Sequence, residues 1–365
     1  MGGCSRTVTG MPSVRPTISE AAAEFSARGA YCNTASIGLP PRRSLEALAL
    51  AYEAWRVGDA EPADYDAAVG SARGHFATLS GTTPARVAIA SQLSTCAGLV
   101  ASALAPGDEV LCAEGDFTSL LFPFLADPRG LAVRTVPLER LIDSIRPATR
   151  LVAVSAVQSA DGRVLDLSAL AEAATAHDAL TFVDTTHAVG WMPVQSERFS
   201  ATACAAYKWL CSPRGVAFMT VHPDSMGLIA PRNANWYAGE EPWNSLYGPP
   251  LRLAQDARRY DHSPAWLSFA GAAPALELLC AVGIEAIRKH DLALANALRE
   301  RLGLAPSNSA IVSLQRENGE QALRAAGVRC AMRGGAIRVS FPLYNTLAAV
   351  EVVAGALAHR GGWAR

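Results

Sequence analysis

Between residues 86 and 221 the chain alternates short apolar runs with longer stretches of helical spacing. RVAIA leads into STCAGLVASAL. DEVLCAE, LAVRTVP and RLVAVSAV follow, and then DLSALAEAATAHD precedes LTFVD, ATACAAY and GVAFMTV. The strand-like runs are apolar at consecutive positions rather than at every second one. Such strands bury both faces, so the pattern predicts a mostly parallel, mixed sheet sandwiched by helices and wound with right-handed crossovers.

The pattern changes after about residue 225. APRNANWYAGEEPWNSLYGPP reads as an ordered irregular loop. A single long helix is expected from Pro264 to Leu302, followed by strand AIVSLQ, helix GEQALRAAG, strand AIRVSF and helix TLAAVEVVAGALAH. The division that follows is an N-terminal arm over 1–35, a large domain over 36–265, and a connecting helix with a small C-terminal α/β domain over 266–365.

Composition narrows the function classes. Of 365 residues half are hydrophobic and 18% charged, and the formal net charge is −1, so there is no basic footprint for nucleic acid or an anionic membrane. The eight cysteines are scattered without a CxxC pair, which points away from a zinc site or a disulfide framework and toward the reducing cytoplasm. The start MGGCSRTVTG fits neither a secretory leader nor a myristoylation signal, and no apolar run has the length of a membrane span.

In open α/β sheets ligands gather beyond the carboxyl ends of the strands. Ser94 and Thr95 stand there, opening a helix, as ordinary caps or as an anion site. Phe117 follows the second run and Gln158 the fourth. Asp184 and His187 come together in DTTHAVG, and Tyr207 and Lys208 close the next run in CAAYKWLCSPRG. A buried ammonium is costly unless it loses its proton, finds a partner or reaches solvent, so Asp184 and Lys208 read either as a structural ion pair or as chemistry. Pyridoxal phosphate uses every one of these parts: a lysine for its aldehyde, a carboxylate at its ring nitrogen, an aromatic face and an anion pocket. The joint arrangement favours chemistry.

These motifs resemble the fold-type I, class V aminotransferase superfamily, which holds kynureninases, cysteine desulfurases and isopenicillin-N-epimerase-like proteins. DTTHAVG, AAYKWL, EGDFTS and AIRVSFPLYNT most resemble the kynureninase branch. The resemblance implies that Lys208 binds the cofactor and shuttles the Cα proton, that Asp184 pairs with the ring nitrogen and that Phe117 stacks on the ring. It implies that Ser94, Thr95 and Tyr207 hold the phosphate, that Gln158 lies near the ring hydroxyl and that His187 lies against cofactor or substrate. Trp236 becomes a cofactor-side aromatic, and Arg338 grips the α-carboxylate of an amino acid substrate. Ser263 reaches the phosphate of a neighbouring subunit, which implies a homodimer with shared sites. Cys330 stands too near Arg338 to serve as a desulfurase nucleophile. The expected reaction is β-elimination from a cysteine S-conjugate. Transamination, epimerisation or decarboxylating deamination are the alternatives, and kynurenine hydrolysis, desulfuration and a non-catalytic role stand behind them.

Overall fold

The computed structural model describes residues 15–358, so the readings of the extreme N-terminus lie outside it. Seven strands form the large sheet: β1 (Val87–Ala90), β2 (Glu109–Ala113), β3 (Ala132–Val136), β4 (Thr149–Ser155), β5 (Leu180–Asp184), β6 (Ala201–Ala205) and β7 (Ala217–Val221). They lie in the order β1-β7-β6-β5-β4-β2-β3. Neighbours from β6 through β5, β4 and β2 to β3 run parallel, and β7 is antiparallel to both β1 and β6. The sheet is therefore mixed and mostly parallel, as its unbroken apolar runs require. β1, β2, β6 and β7 are buried at every position. The edge strand β3 is not; its Arg134 reaches back to Glu109 at 3.0 Å.

A second sheet holds β8 (Ile311–Leu314), β9 (Ala331–Arg333) and β10 (Ala336–Ser340), antiparallel in the order β8-β10-β9. Helices Ile284–Arg301, Gly319–Ala325 and Leu347–Ala358 share its core. The expected helix from Pro264 to Leu302 is two helices. Trp266–Val282 packs on the large-domain helices Arg42–Val57 and Asp66–Ser80, and the chain then bends by 84° into Ile284–Arg301. Gly283 makes the corner at φ +90, a conformation that a side chain would oppose. No single helix among the described residues is long and apolar enough to cross a membrane.

Residues 15–35, the described part of the expected N-terminal arm, pack on both domains. Ile18 and Phe25 pack on the main core, and Cys32 is fully buried in the small-domain core. Tyr31 pairs with Arg329, and the Cys32 carbonyl accepts from Ser340 N at 2.9 Å. The chain then crosses to the large domain, where Gly38 N donates to Tyr207 O at 2.8 Å. A Cβ on Gly38 would lie 2.0 Å from the Lys208 carbonyl oxygen, so the crossing depends on glycine.

Helix Asp66–Ser80 is pinned to β1 through a buried ion pair. Arg73 donates to both carboxylate oxygens of Asp261 at 3.1 and 2.6 Å and also to the Val87 carbonyl. Asp261 accepts from Ile89 N at 2.8 Å as well.

Candidate active site

The carboxyl ends of β5 and β6 lie side by side, with Asp184 registered against Ala203. Asp184 ends β5, and Lys208 follows in the turn after β6. Both are buried, and both line a cavity of about 240 Å³ together with Ser94, Phe117, Thr186, Tyr207 and Arg214. The reason the sequence folds this way is local. Apolar strands carry their last polar residues to one rim, and parallel neighbours bring those rims together.

Each charge here is under tension. Burial pushes the Lys208 amine down to about 8, against the pull of the Asp184 charge, and Arg338 pushes the same way as burial. Burial pushes Asp184 up to about 6, opposed by hydrogen bonds from Thr186 and by Lys208. The Thr186 amide donates to Asp184 Oδ1 at 2.8 Å. His187 contacts Lys208, Nε2 to Nζ 2.8 Å. Burial drives His187 well below its usual range, and the charges of Lys208, Arg338 and Arg333 add to that. The imidazole is thus neutral at physiological pH, with Nε2 free to accept from Nζ while its buried Nδ1 has no protein partner. The Phe117 ring centroid lies 5.4 Å from Lys208 Nζ.

The opposite end of the cavity suits an anion. Helix Leu93–Ala101 begins at Gln92, whose side chain makes no capping bond, so its first amides stay open toward the rim. Ser94 lines the cavity. Thr95 does not, because its hydroxyl turns back to the Gln92 carbonyl at 2.8 Å. Arg214 places its guanidinium carbon 5.2 Å from the Tyr207 ring centroid. Sequence reasoning passed over Arg214, although SPRG directly after the lysine turn was a visible cue.

Gln158 is 2% exposed but lies outside the cavity wall; its amide donates to Asp116 Oδ2 at 3.2 Å. Asp116 also accepts from Ser155 N at 2.8 Å, so it ties β4 to the loop that carries Phe117. Trp236 does not reach the cavity. It packs against Tyr237 and Trp243, with ring centroids 5.1 Å away in each case. Ser263 is exposed and apart from the cavity of its own chain.

Arg338 lies on β10 and is 2% exposed, yet among the described residues no carboxylate lies within ion-pair distance of it. It donates to the Ser159 carbonyl, to Ser159 Oγ at 3.3 Å and to Ser36 Oγ at 2.9 Å, and its Nε is buried without a partner. Burial pushes Arg338 down to about 10, and nearby Arg333 adds to the effect. The Arg338 charge adds to the downward push of burial on both Lys208 and His187.

Comparison with known proteins agrees with this geometry. The profile of the family "Aminotransferase class-V" matches residues 78–322. An uncharacterized aminotransferase of Bacillus subtilis is 29% identical over 75% of this chain and 79% of its own length. Isopenicillin N epimerase of Streptomyces clavuligerus is 32% identical over 60% of this chain and 59% of its own. Among solved structures, the Escherichia coli cysteine desulfurase CsdA superposes with a TM-score of 0.79 at 18% identity, covering 94% of this chain and 98% of that one. The cystine C-S lyase C-DES gives 0.81 at 21% identity, covering 92% and 99%. These relatives are epimerase- and desulfurase-like, so the expected leaning to the kynureninase branch is not supported. The chain belongs to the class-V aminotransferase family, enzymes that use pyridoxal phosphate to act on amino acids.

Proposed function

We propose that this protein is a carbon–sulfur lyase that cleaves the Cβ–S bond of a cysteine S-conjugate, yielding a thiol, pyruvate and ammonia. One observation carries the reading: a buried amine poised near pH 8 shares its surroundings with a buried arginine that lacks a carboxylate. An amino acid supplies the missing anion through its carboxylate and presents its Cα beside the amine.

The residues present suit the cofactor. Lys208 would hold its aldehyde carbon, Asp184 its ring nitrogen and Phe117 one ring face. Ser94, Tyr207, Arg214 and the open helix amides would hold its phosphate. The unmet needs of the site point the same way, since burial raises Asp184 and the first helix amides have no side-chain cap. When bound, pyridoxal phosphate supplies a sink for the electron pair left as the Cα–H bond breaks. Lys208, with an amine that changes charge near pH 8, takes the Cα proton and returns a proton to the departing sulfur. Neutral His187 directs Nζ by accepting its hydrogen bond. Arg338 holds the carboxylate in register, and water supplies the ketone oxygen of pyruvate.

Desulfuration by a mobile cysteine does not suit this chain. Cys330 is flanked by Arg329, paired to residues 30 and 32, and by Ala331, paired to Arg338, so its backbone is tethered on both sides. Burial also raises its thiol. Epimerisation at Cα is the second reading, favoured by the 32% identity to an epimerase. We further propose a homodimer. An apolar cavity of about 720 Å³ opens between Tyr52, Trp55, Tyr65 and Trp266, next to exposed Ser263, and a second copy would cover it.

The decisive experiment incubates the cofactor-loaded enzyme with cysteine S-conjugates in deuterium oxide and follows pyruvate, thiol and the configuration at Cα. Equal release of thiol and pyruvate supports the lyase. Deuterated, inverted amino acid without pyruvate replaces it with the epimerase.

A further inference from the structure

Arg338 is not the only arginine at this edge without an acid. Arg333, exposed at the end of β9, donates from Nη2 to Ser36 Oγ at 3.3 Å, the same oxygen that accepts from Arg338 Nη2 at 2.9 Å. Two guanidinium groups thus converge on one neutral hydroxyl. The other described contact of Arg333 is Nη1 to the Met332 carbonyl at 2.7 Å. Among the described residues, neither arginine has a carboxylate within ion-pair distance, whereas Arg73, buried like Arg338, has one. What sets this pair apart is that both donate to one serine hydroxyl.

The two differ in depth. Arg338 is buried and fixed by Ser159 and Ser36, while Arg333 stands at the solvent side of the same serine. Both charges are felt at Lys208 and His187, Arg338 the more strongly. Arg338 is the inner cation of the pair and Arg333 the outer. A monocarboxylate seated on Arg338 neutralises only the inner cation, and the outer one still faces whatever extends from the substrate. Like charges held this close repel, and a second anion at the rim relieves that repulsion.

We propose that Arg333 is a specificity residue for a second carboxylate, so that the substrate class is amino acids whose side chain carries an acid group. This deepens the lyase reading and rests on it. Ser36 acts as the shared anchor that keeps both guanidinium groups aimed at one entrance.

The test uses full-length, cofactor-loaded enzyme with two matched probes, S-carboxymethyl-L-cysteine and its uncharged amide, S-carbamoylmethyl-L-cysteine. Binding is read from the visible absorbance of the cofactor and turnover from pyruvate. Wild type should favour the acid by roughly three- to tenfold in KM, as expected for a partly exposed charge-assisted contact. Arg333→Gln should erase that preference by raising KM for the acid far more than for the amide, and Arg333→Lys should restore part of it. An equal loss for acid and amide would mean that Arg333 helps grip the α-carboxylate, and no change for either would place it outside the site; each overturns the proposal. If neither probe turns over but the absorbance preference for the acid persists and depends on Arg333, the lyase reading fails and this one stands. If both turn over equally well, the reverse holds.

Discussion

Arg73 and Arg338 are both almost wholly buried, and the chain treats their charges in opposite ways. Around Arg73 every demand is met: a bidentate carboxylate from Asp261, a backbone carbonyl, and a further amide to the same carboxylate. Around Arg338 only serine oxygens and a carbonyl answer, and Nε is left over. The Lys208–Asp184–His187 group shares that incompleteness, since His187 Nδ1 is buried without a partner. A closed polar cluster fastens a helix to a strand. An open one keeps bonding capacity for something that arrives from solution.

Substitutions can sharpen or break this division, and the largest effect belongs to the open cluster. Lys208→Met should lower turnover by on the order of a thousandfold or more, while the unfolding midpoint of the cofactor-free protein moves little. Borohydride treatment should fix cofactor to wild type and not to the variant; a variant that retains fixed cofactor would refute the role. Next comes the closed cluster. Asp261→Asn strands the Arg73 charge and should destabilise by about 3–5 kcal/mol in urea, with kcat of the surviving folded enzyme nearly intact. A large fall in kcat at unchanged stability would merge the two regions.

Asp184→Asn separates function from stability within one residue. Turnover should fall roughly a hundredfold. Because the Asp184 pKa is raised to about 6, the folded protein holds a proton that the unfolded chain gives up between about pH 4 and pH 6. Ionised Asp184 therefore costs stability in the cofactor-free protein above pH 6 and costs nothing near pH 4. The asparagine variant should be more stable by about 1 kcal/mol at pH 7.5, the shift being shared with Lys208, and equal to wild type toward pH 4. Identical urea curves at both pH values would contradict this. The smallest effect is expected for Arg338→Gln: KM up by roughly ten- to fiftyfold with cofactor content retained. An unchanged KM would remove Arg338 from the substrate path.

Much of this was readable along the chain, for a physical reason. A strand buried on both faces has to be apolar at every position, so β1, β2, β4, β5, β6 and β7 announced themselves, and Asp184 and Lys208 stood out as charges in apolar surroundings. β9 did not, since three half-exposed or exposed residues carry no period. The corner at Gly283 was missed because apolar spacing reports that a helix exists and says nothing of its direction. Ser36 and Ser159 were invisible for another reason. Each is a common small polar residue, and what makes it matter is an arginine 302 or 179 positions away. Trp236 and Thr95 show the converse. Their residue types suit a cofactor, but Trp236 is occupied by neighbouring rings and Thr95 by the Gln92 carbonyl.

The tight passage at Gly38 has a consequence for how the two halves are calibrated. One short peptide leans on the backbone of Lys208 and, two residues earlier, offers the hydroxyl that Arg333 and Arg338 share. The gap between amine and arginine is thereby gauged by main chain touching main chain, like a spacer of fixed thickness. Repacking elsewhere in either domain can drift without altering that gap, whereas a single methyl group at position 38 would reset it.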